Sequence, residues 1–218
     1  TTHPAMLMYL DNHISAGPNS QHVRWARSRN EQAGLNDNLG RELLELHTVS
    51  PDVNYTETDI RNAAKVLAGW GMDVQGNSPQ NLLEQAGTIN HWDMYKKNWA
   101  EPGSKVVLGK TIYQGKQGLK QLTDFLATHD HTINHLSFKL AEHFVRDDPQ
   151  QADIDYISNA WRQGNGSMEK IHTAVIERAI DSKEPKFQWP MNWLFQVIRL
   201  TDSRYFKGWS EVDTYLNR

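Results

Sequence analysis

Behind Thr56 the apolar residues Ile60, Ala63, Ala64, Leu67 and Trp70 recur at intervals of three and four. Only a helix brings such a set onto one face. Thr56 is suited to cap that helix, and Asp59 stands where a capping box places its acid. Gly69 and Gly71 close it around Trp70. The same spacing returns downstream. Leu119, Leu122, Phe125 and Leu126 make one stripe, and Ile133, Leu136, Leu140 and Phe144 another. Ile154, Ile157 and Trp161 are followed by Met168, Ile171, Val175 and Ala179, with Gly164, Asn165 and Gly166 between them and Ser167 as a cap. Pro190 opens a stretch with Trp193, Leu194, Val197 and Ile198, and Ser210 with Asp213 forms a last capping box. At the other end Pro4 and the run Met6 to Leu10 read as a helix over 4–15, expected to leave an apolar face for a partner. The chain is therefore expected to be all-α, with seven to nine helices in a single helical domain over residues 1–218.

Helical spacing fails in two places. Residues 16–34 read as a polar, irregular segment in which Arg24, Arg27 and Arg29 bracket Trp25. Residues 72–113 read as a long irregular loop, punctuated by Gly76, Pro79, Gly87, Pro102 and Gly103 and carrying His91, Trp92, Tyr95 and Trp99. At its end Lys105 to Leu108 and Lys110 to Tyr113 flank Gly109, which allows at most one small β-hairpin. A loop of that length is functional or is ordered by its own packing. Gly109, Lys110 and Thr111 look like the close of a phosphate loop. Gly103 lies one residue too far upstream, however, and no helix opens behind Thr111, so a nucleotide loop is rejected.

The densest chemistry lies between Asn36 and Thr48. At roughly 100° per residue, Asn38, Arg41, Glu42 and Glu45 fall within about a third of the helix circumference. Leu39, Leu43 and Leu46 form a second arc with His47 at its edge. Two carboxylates around a cation can be a solvated face, a structural ion-pair network or a site that handles protons or a metal. The candidate catalytic residues are Glu42, Glu45 and His47. The candidate ligand-binding residues are Asn38 and Arg41 on the helix, with Trp92, Tyr95 and Trp99 on the loop as the wall of a pocket. The candidate metal ligands are Glu42 and Glu45, or His131 and His135, which are four apart as on a zinc-binding helix. Arg41 is expected to make charge-assisted contacts inside the domain, with Glu42, Glu45 or an acid of a neighbouring helix. No cofactor motif occurs, and a divalent metal is the one cofactor these residues allow.

Several classes are excluded. A net charge of −3 without a basic block argues against nucleic acid. The run Met6 to Leu10 is far short of a membrane span. The absence of cysteine removes disulfides and thiolate sites. No nucleophile-elbow pattern supports serine catalysis.

The stretch Asn36 to Thr48, followed by Tyr55, Thr56, Glu57, Asp59, Gly69 and Trp70, resembles the signature of a large bacterial family known as domain of unknown function 1800. Glu101, Pro102, Gly103, Lys105 and Leu108 to Lys110 extend the resemblance, as do His129, His135, Lys139, Leu140 and His143 to Pro149. It runs from about Pro4 to Arg199. Two positions depart from it: Ala100 stands where members often carry histidine, and His129-Asp130-His131-Thr132 replaces the usual His-Pro-Ala-Thr. Members are much longer, so the resemblance implies that this is the C-terminal part of a family domain and that an N-terminal helical region is a missing partner. Members often occur beside secreted, sulfatase-like proteins, which implies an exported or periplasmic complex rather than a cytoplasmic protein. The family supplies no reaction. The expectation is a helical binding or scaffold domain of an exported bacterial complex, and the alternative is a metal-assisted hydrolase with an acidic site on helix 38–48.

Overall fold

The structure, a computed structural model, describes residues 3–71, 95–183 and 185–202. Among these residues it is all-α apart from one hairpin. The nine helices are α1 (Pro4–Tyr9), α2 (Gln21–Ser28), α3 (Asn38–Glu45), α4 (Glu57–Leu67), α5 (Lys116–Ala127), α6 (Asp130–Phe144), α7 (Gln151–Gln163), α8 (Met168–Ser182) and α9 (Pro190–Leu200). The hairpin pairs β1 (Lys105–Val107) with β2 (Lys110–Ile112), antiparallel, with Val106 opposite Thr111. Leu108 and Gly109 at its turn have φ of 49° and 76°. Two left-handed residues in succession make the tight turn whose twist suits adjacent strands.

Three boundaries differ from the sequence reading, each for a local reason. The helix expected over 4–15 stops at Tyr9, because Asp11 takes a left-handed φ of 55° and a 3-10 turn over Asn12–Ile14 follows. Leu7 is buried by the chain itself, while Met8, Tyr9 and Ile14 stay exposed. The segment 16–34, read as irregular, contains α2. The Ser20 hydroxyl caps it by accepting the Val23 N–H at 3.2 Å, and only Val23 and Ala26 are buried. Two buried residues are too few for periodicity to reveal. The helix read over 38–48 ends at Glu45, so His47 lies beyond it. The helix expected behind Ser210 and most of the loop from Met72, Trp92 included, lie outside the described residues.

The larger core joins α1, α3, α4, the hairpin and α5. Leu7, Leu44, Ile60, Leu67, Ile112, Leu122 and Leu126 are its most deeply buried large side chains. At about 1.5–3 kcal/mol for each such side chain, burial of this kind is the main driving force for the fold. Helices α3 and α4 are its centre. Gly40 lies against Ala64, Arg41 against Glu57, and Glu45 against Tyr55 just ahead of α4, the order of an antiparallel pair. A Cβ on Gly40 would stand 2.7 Å from the Ala64 nitrogen. The two backbones are therefore in direct contact, as only a glycine facing an alanine permits.

Asp59 ties this pair to the hairpin. One carboxylate oxygen accepts the Thr56 N–H at 2.9 Å and the Thr56 hydroxyl at 2.7 Å, closing the capping box of α4. The other accepts the Leu108 N–H at 2.8 Å, across to the strained turn. Desolvation is the largest single influence on its titration and works to raise it. The Thr56 backbone, the Thr56 hydroxyl and the Leu108 N–H together outweigh that effect and hold the carboxyl below its ordinary value.

A second, smaller core joins α6, α7 and α8 through Ala141, Val145, Ile157, Ile171 and Val175. Asp153 sits at its edge, fully buried, between Arg146 Nε at 3.0 Å and Arg178 Nε at 2.5 Å, and it accepts the Gln150 N–H at 3.0 Å. A buried carboxylate is tolerated because its charge is answered on both sides and its lone pairs are occupied.

Two measurements test this description. Gly40→Ala gains about 1 kcal/mol of helix propensity but forces α3 off Ala64, at an overpacking cost of about 1–3 kcal/mol. The melting temperature is expected to fall, and a rise would show that the helices are not in backbone contact. The second concerns pH. The folded-state pKa of Asp59 is depressed, so its contribution to stability is present above the unfolded carboxyl value of about 3.9 and is lost as pH falls through the lower folded value. The stability difference between the protein and Asp59→Asn is expected to be flat near neutral pH and to shrink on acidification. A difference that grows on acidification would overturn the assignment.

Candidate functional site

The polar residues of α3 do not form one network. The Arg41 guanidinium holds Glu57 of α4 in a two-pronged pair at 3.1 and 3.0 Å, with Asp37 at 3.6 Å. The pair lies at the surface, with the Arg41 and Glu57 side chains 36% and 70% exposed. The Glu57 hydrogen bond raises the guanidinium above its usual value, and the same bond lowers the Glu57 carboxyl. Glu45, half-buried, accepts the Tyr55 hydroxyl at 3.4 Å. Burial, then the Glu45 charge, push that phenol up. The Oε2 atom of Glu42 is buried without a hydrogen-bond partner. Asn38 and His47 are exposed. The expected contact of Arg41 with a neighbouring helix is thus present, but with Glu57 rather than with Glu42 or Glu45.

His131 is exposed and His135 half-buried on α6. Burial, then the Lys139 charge, lower the His135 imidazole, against the pull of Asp52. Among the described residues no group of three or more His, Asp or Glu side chains is placed to hold a metal ion.

Tyr95 belongs to a different place, a cleft of about 670 Å³ beside the start of α2, and Trp99 packs next to that cleft without lining it. Segment 95–101 threads between α2 and the end of α4. Lys96 N–H donates to the Gly69 carbonyl at 2.7 Å, Gly17 N–H to that of Trp99 at 2.8 Å, and His22 N–H to that of Asn98 at 2.9 Å. Side chains reinforce the seam. His22 stacks on Trp99 with centroids 3.9 Å apart, Lys96 lies 4.6 Å from the Trp99 centroid, and Arg29 lies 4.2 Å from that of Trp25. Trp99 is therefore engaged by two of its own neighbours. Tyr95 tilts against Trp70 at 5.2 Å and lines the cleft, with α2 and residues 114–115 of the hairpin exit as the other walls, not α3.

The floor of this cleft is a group the sequence reading did not single out as a site. Glu101 is only 7% exposed and accepts Asn19 N–H at 2.8 Å and Asn19 Nδ2 at 2.7 Å. Beneath it the buried Lys105 ammonium donates to the carbonyls of Glu101 at 2.5 Å, Gly103 at 2.6 Å and Pro102 at 3.4 Å. Burial lowers the Lys105 ammonium below its ordinary value, the Glu101 charge opposes this in part, and the Lys65 charge adds to the lowering. Three carbonyl acceptors match its three N–H donors and favour the charged form. The available signal was the run Glu101, Pro102, Gly103 and Lys105, which the resemblance includes but which has no periodicity to mark it.

A second, larger cleft of about 940 Å³ lies between α6, the start of α8 and the arm that leads into α9. Leu140, Phe144, Trp161 and Ile171 form its floor, and Phe187 and Trp189 its edge. The arm is fastened at one point. Lys186 Nζ donates to Asp147 at 2.6 Å and to the Glu142 carbonyl at 2.7 Å, and Phe187 N–H donates to Asp147 at 2.7 Å. The Lys186 bond, then that of Phe187, hold the Asp147 carboxyl below its ordinary range.

The family model described as a protein of unknown function, DUF1800, matches residues 1–217. The chain belongs to the DUF1800 family. No curated protein and no solved structure matches it. Membership assigns no activity to either cleft. Among the described residues no helix is long and apolar enough to cross a membrane.

The surface setting of Arg41 yields a prediction. A buried pair would make Arg41→Ala severely destabilising, but an exposed pair is screened by water and contributes little. The melting temperature of Arg41→Ala is expected to stay close to that of the parent protein, and a large fall would place the pair in a sealed interior.

Proposed function

We propose that this chain is a helical binding domain whose α9 surface docks an apolar face of a partner protein. The observation that carries the reading is α9 itself. It bears Met191, Trp193, Leu194, Phe195, Val197, Ile198 and Leu200 and buries none of them. Trp193 is 58%, Phe195 50% and Leu200 86% exposed, and Phe187 and Trp189 on the arm are exposed beside them. A helix that is apolar on most sides belongs in an interior or an interface, and contiguous exposed apolar surface of this kind marks a docking site. The cleft under the arm extends the same surface inward. Aromatic side chains dominate the patch, the composition of an interface centre.

The partner this surface fits is a helical segment of another polypeptide with its own apolar face. The family resemblance supports two sources, the N-terminal helical region of longer members and the sulfatase-like proteins that occur beside them. It supports an exported or periplasmic complex on the same ground. A metal-assisted hydrolase on α3 has less support, because Arg41 is committed to Glu57 and Glu45 faces Tyr55.

The test is a double variant, Trp193→Asp with Phe195→Asp, compared with the parent protein. Exposed side chains outside both cores are expected to leave the melting temperature nearly unchanged. Binding to a co-purified N-terminal family region, or to a sulfatase-like neighbour, should be lost, together with hydrogen-exchange protection over 187–200. A fall of many degrees in the uncomplexed protein would mean that α9 is covered by its own chain, and the reading would then fail.

A further inference from the structure

The cleft beside α2 takes no part in the docking reading, and its chemistry is of another kind. Its floor is one carboxylate, Glu101, held rigidly. The Asn19 backbone and side chain bond one Glu101 oxygen each, at 2.8 and 2.7 Å. A Cβ at Gly17 would stand 2.5 Å from Glu101 Oε2, so the acid is pressed onto bare backbone. Lys105 fixes the carbonyls that follow it. A carboxylate has about four acceptor directions, and Asn19 occupies two. The others are left for a ligand, on a group whose position costs no reorganisation on binding.

The rest of the lining decides what kind of ligand. Gln21, Asn98 and Gln114 are exposed amides, each with donors and an acceptor, as are the hydroxyls of a sugar. Gln114 is itself positioned, its Oε1 accepting the Gly103 N–H at 2.7 Å. Arg24 and Lys97 bring two exposed cations to the same lining. A simple amine would meet both of them, and a phosphate would meet Glu101. A molecule that turns hydroxyls to Glu101 and a carboxylate to Arg24 and Lys97 satisfies both halves. The volume of about 670 Å³ lies within the range of small-ligand sites. We infer that this cleft is a binding site for an acidic sugar, with Glu101 accepting from ring hydroxyls and Arg24 and Lys97 holding the uronate carboxylate.

The experiment titrates digalacturonate and cellobiose, two disaccharides that differ in charge, into the purified chain by calorimetry. Digalacturonate is expected to bind with a Kd at or below about 1 mM, and cellobiose at least about tenfold more weakly. Arg24→Ala and Lys97→Ala remove only exposed side chains and should remain folded. Each should cost digalacturonate several-fold and leave the weak cellobiose binding where it was. Glu101→Gln should weaken both sugars. Should that variant lose its fold, the two cation variants decide the matter alone. No digalacturonate binding, equal affinity for the two sugars, or digalacturonate binding indifferent to Arg24 and Lys97 would each overturn the inference. The Trp193→Asp, Phe195→Asp variant should bind digalacturonate as the parent does, which separates this site from the docking surface.

Discussion

The contact between Gly40 and Ala64 sets the spacing on which the larger core depends. Helices in backbone contact bring their neighbouring side chains close enough for Leu39, Leu43 and Leu44 to share one buried cluster with Ile60, Ala63 and Leu67. The hairpin and α5 then close the open side of this pair with Val107, Ile112, Leu119 and Leu122. Because the helices cannot separate, Arg41 meets Glu57 and Glu45 meets Tyr55 as consequences of the packing. Two of the polar groups that look like a site in sequence, Arg41 and Glu45, are here partners of α4 and the residue just ahead of it.

Around that centre, single polar groups hold elements that have little core of their own. Asp59 joins the α4 cap to the hairpin turn. Lys105 gathers the carbonyls of 101–103. Asp153 holds Arg146 and Arg178 at the edge of the second core. Each is a charge or a carboxylate whose hydrogen-bonding capacity is largely met inside the fold, so removing one would strand its partners in a low-dielectric setting. Asp59, Lys105 and Arg146 all lie in the runs that carry the family resemblance. For these positions a structural role explains the chemistry without invoking a reaction.

The two clefts differ in what they leave unsatisfied. The one beside α2 presents a fixed acid, amides and cations, and the aromatic rings next to it are already stacked on each other. The one under the arm has an apolar floor of Leu140, Phe144, Trp161 and Ile171, and it continues into a helix that buries none of its side chains. The first suits a small hydroxylated ligand by hydrogen bonding, and the second suits a polypeptide by area. The arm between α8 and α9 is pinned by Asp147 and Lys186, which fixes where the apolar surface begins.

The sequence by itself determined the helical class, most helix positions, the Thr56–Asp59 capping box and the family, and it allowed one small hairpin near 105–113. Those features are local: spacing at three and four residues, a cap three positions from its acid, and a glycine at a turn are all decided within a dozen residues. It missed α2, whose buried face has only Val23 and Ala26, and it extended α1 and α3 past turns that their neighbours impose. The candidate site was less legible. Same-face geometry on α3 was readable, yet Arg41 found its acid on α4, Tyr95 joined Glu101 in the cleft beside α2, and Trp99 stacked on His22 of α2. Asn19 and Glu101 are 82 positions apart. Periodicity is silent on such a pairing, because it depends on how the chain folds back between α2 and α4, and only the tertiary structure decides that.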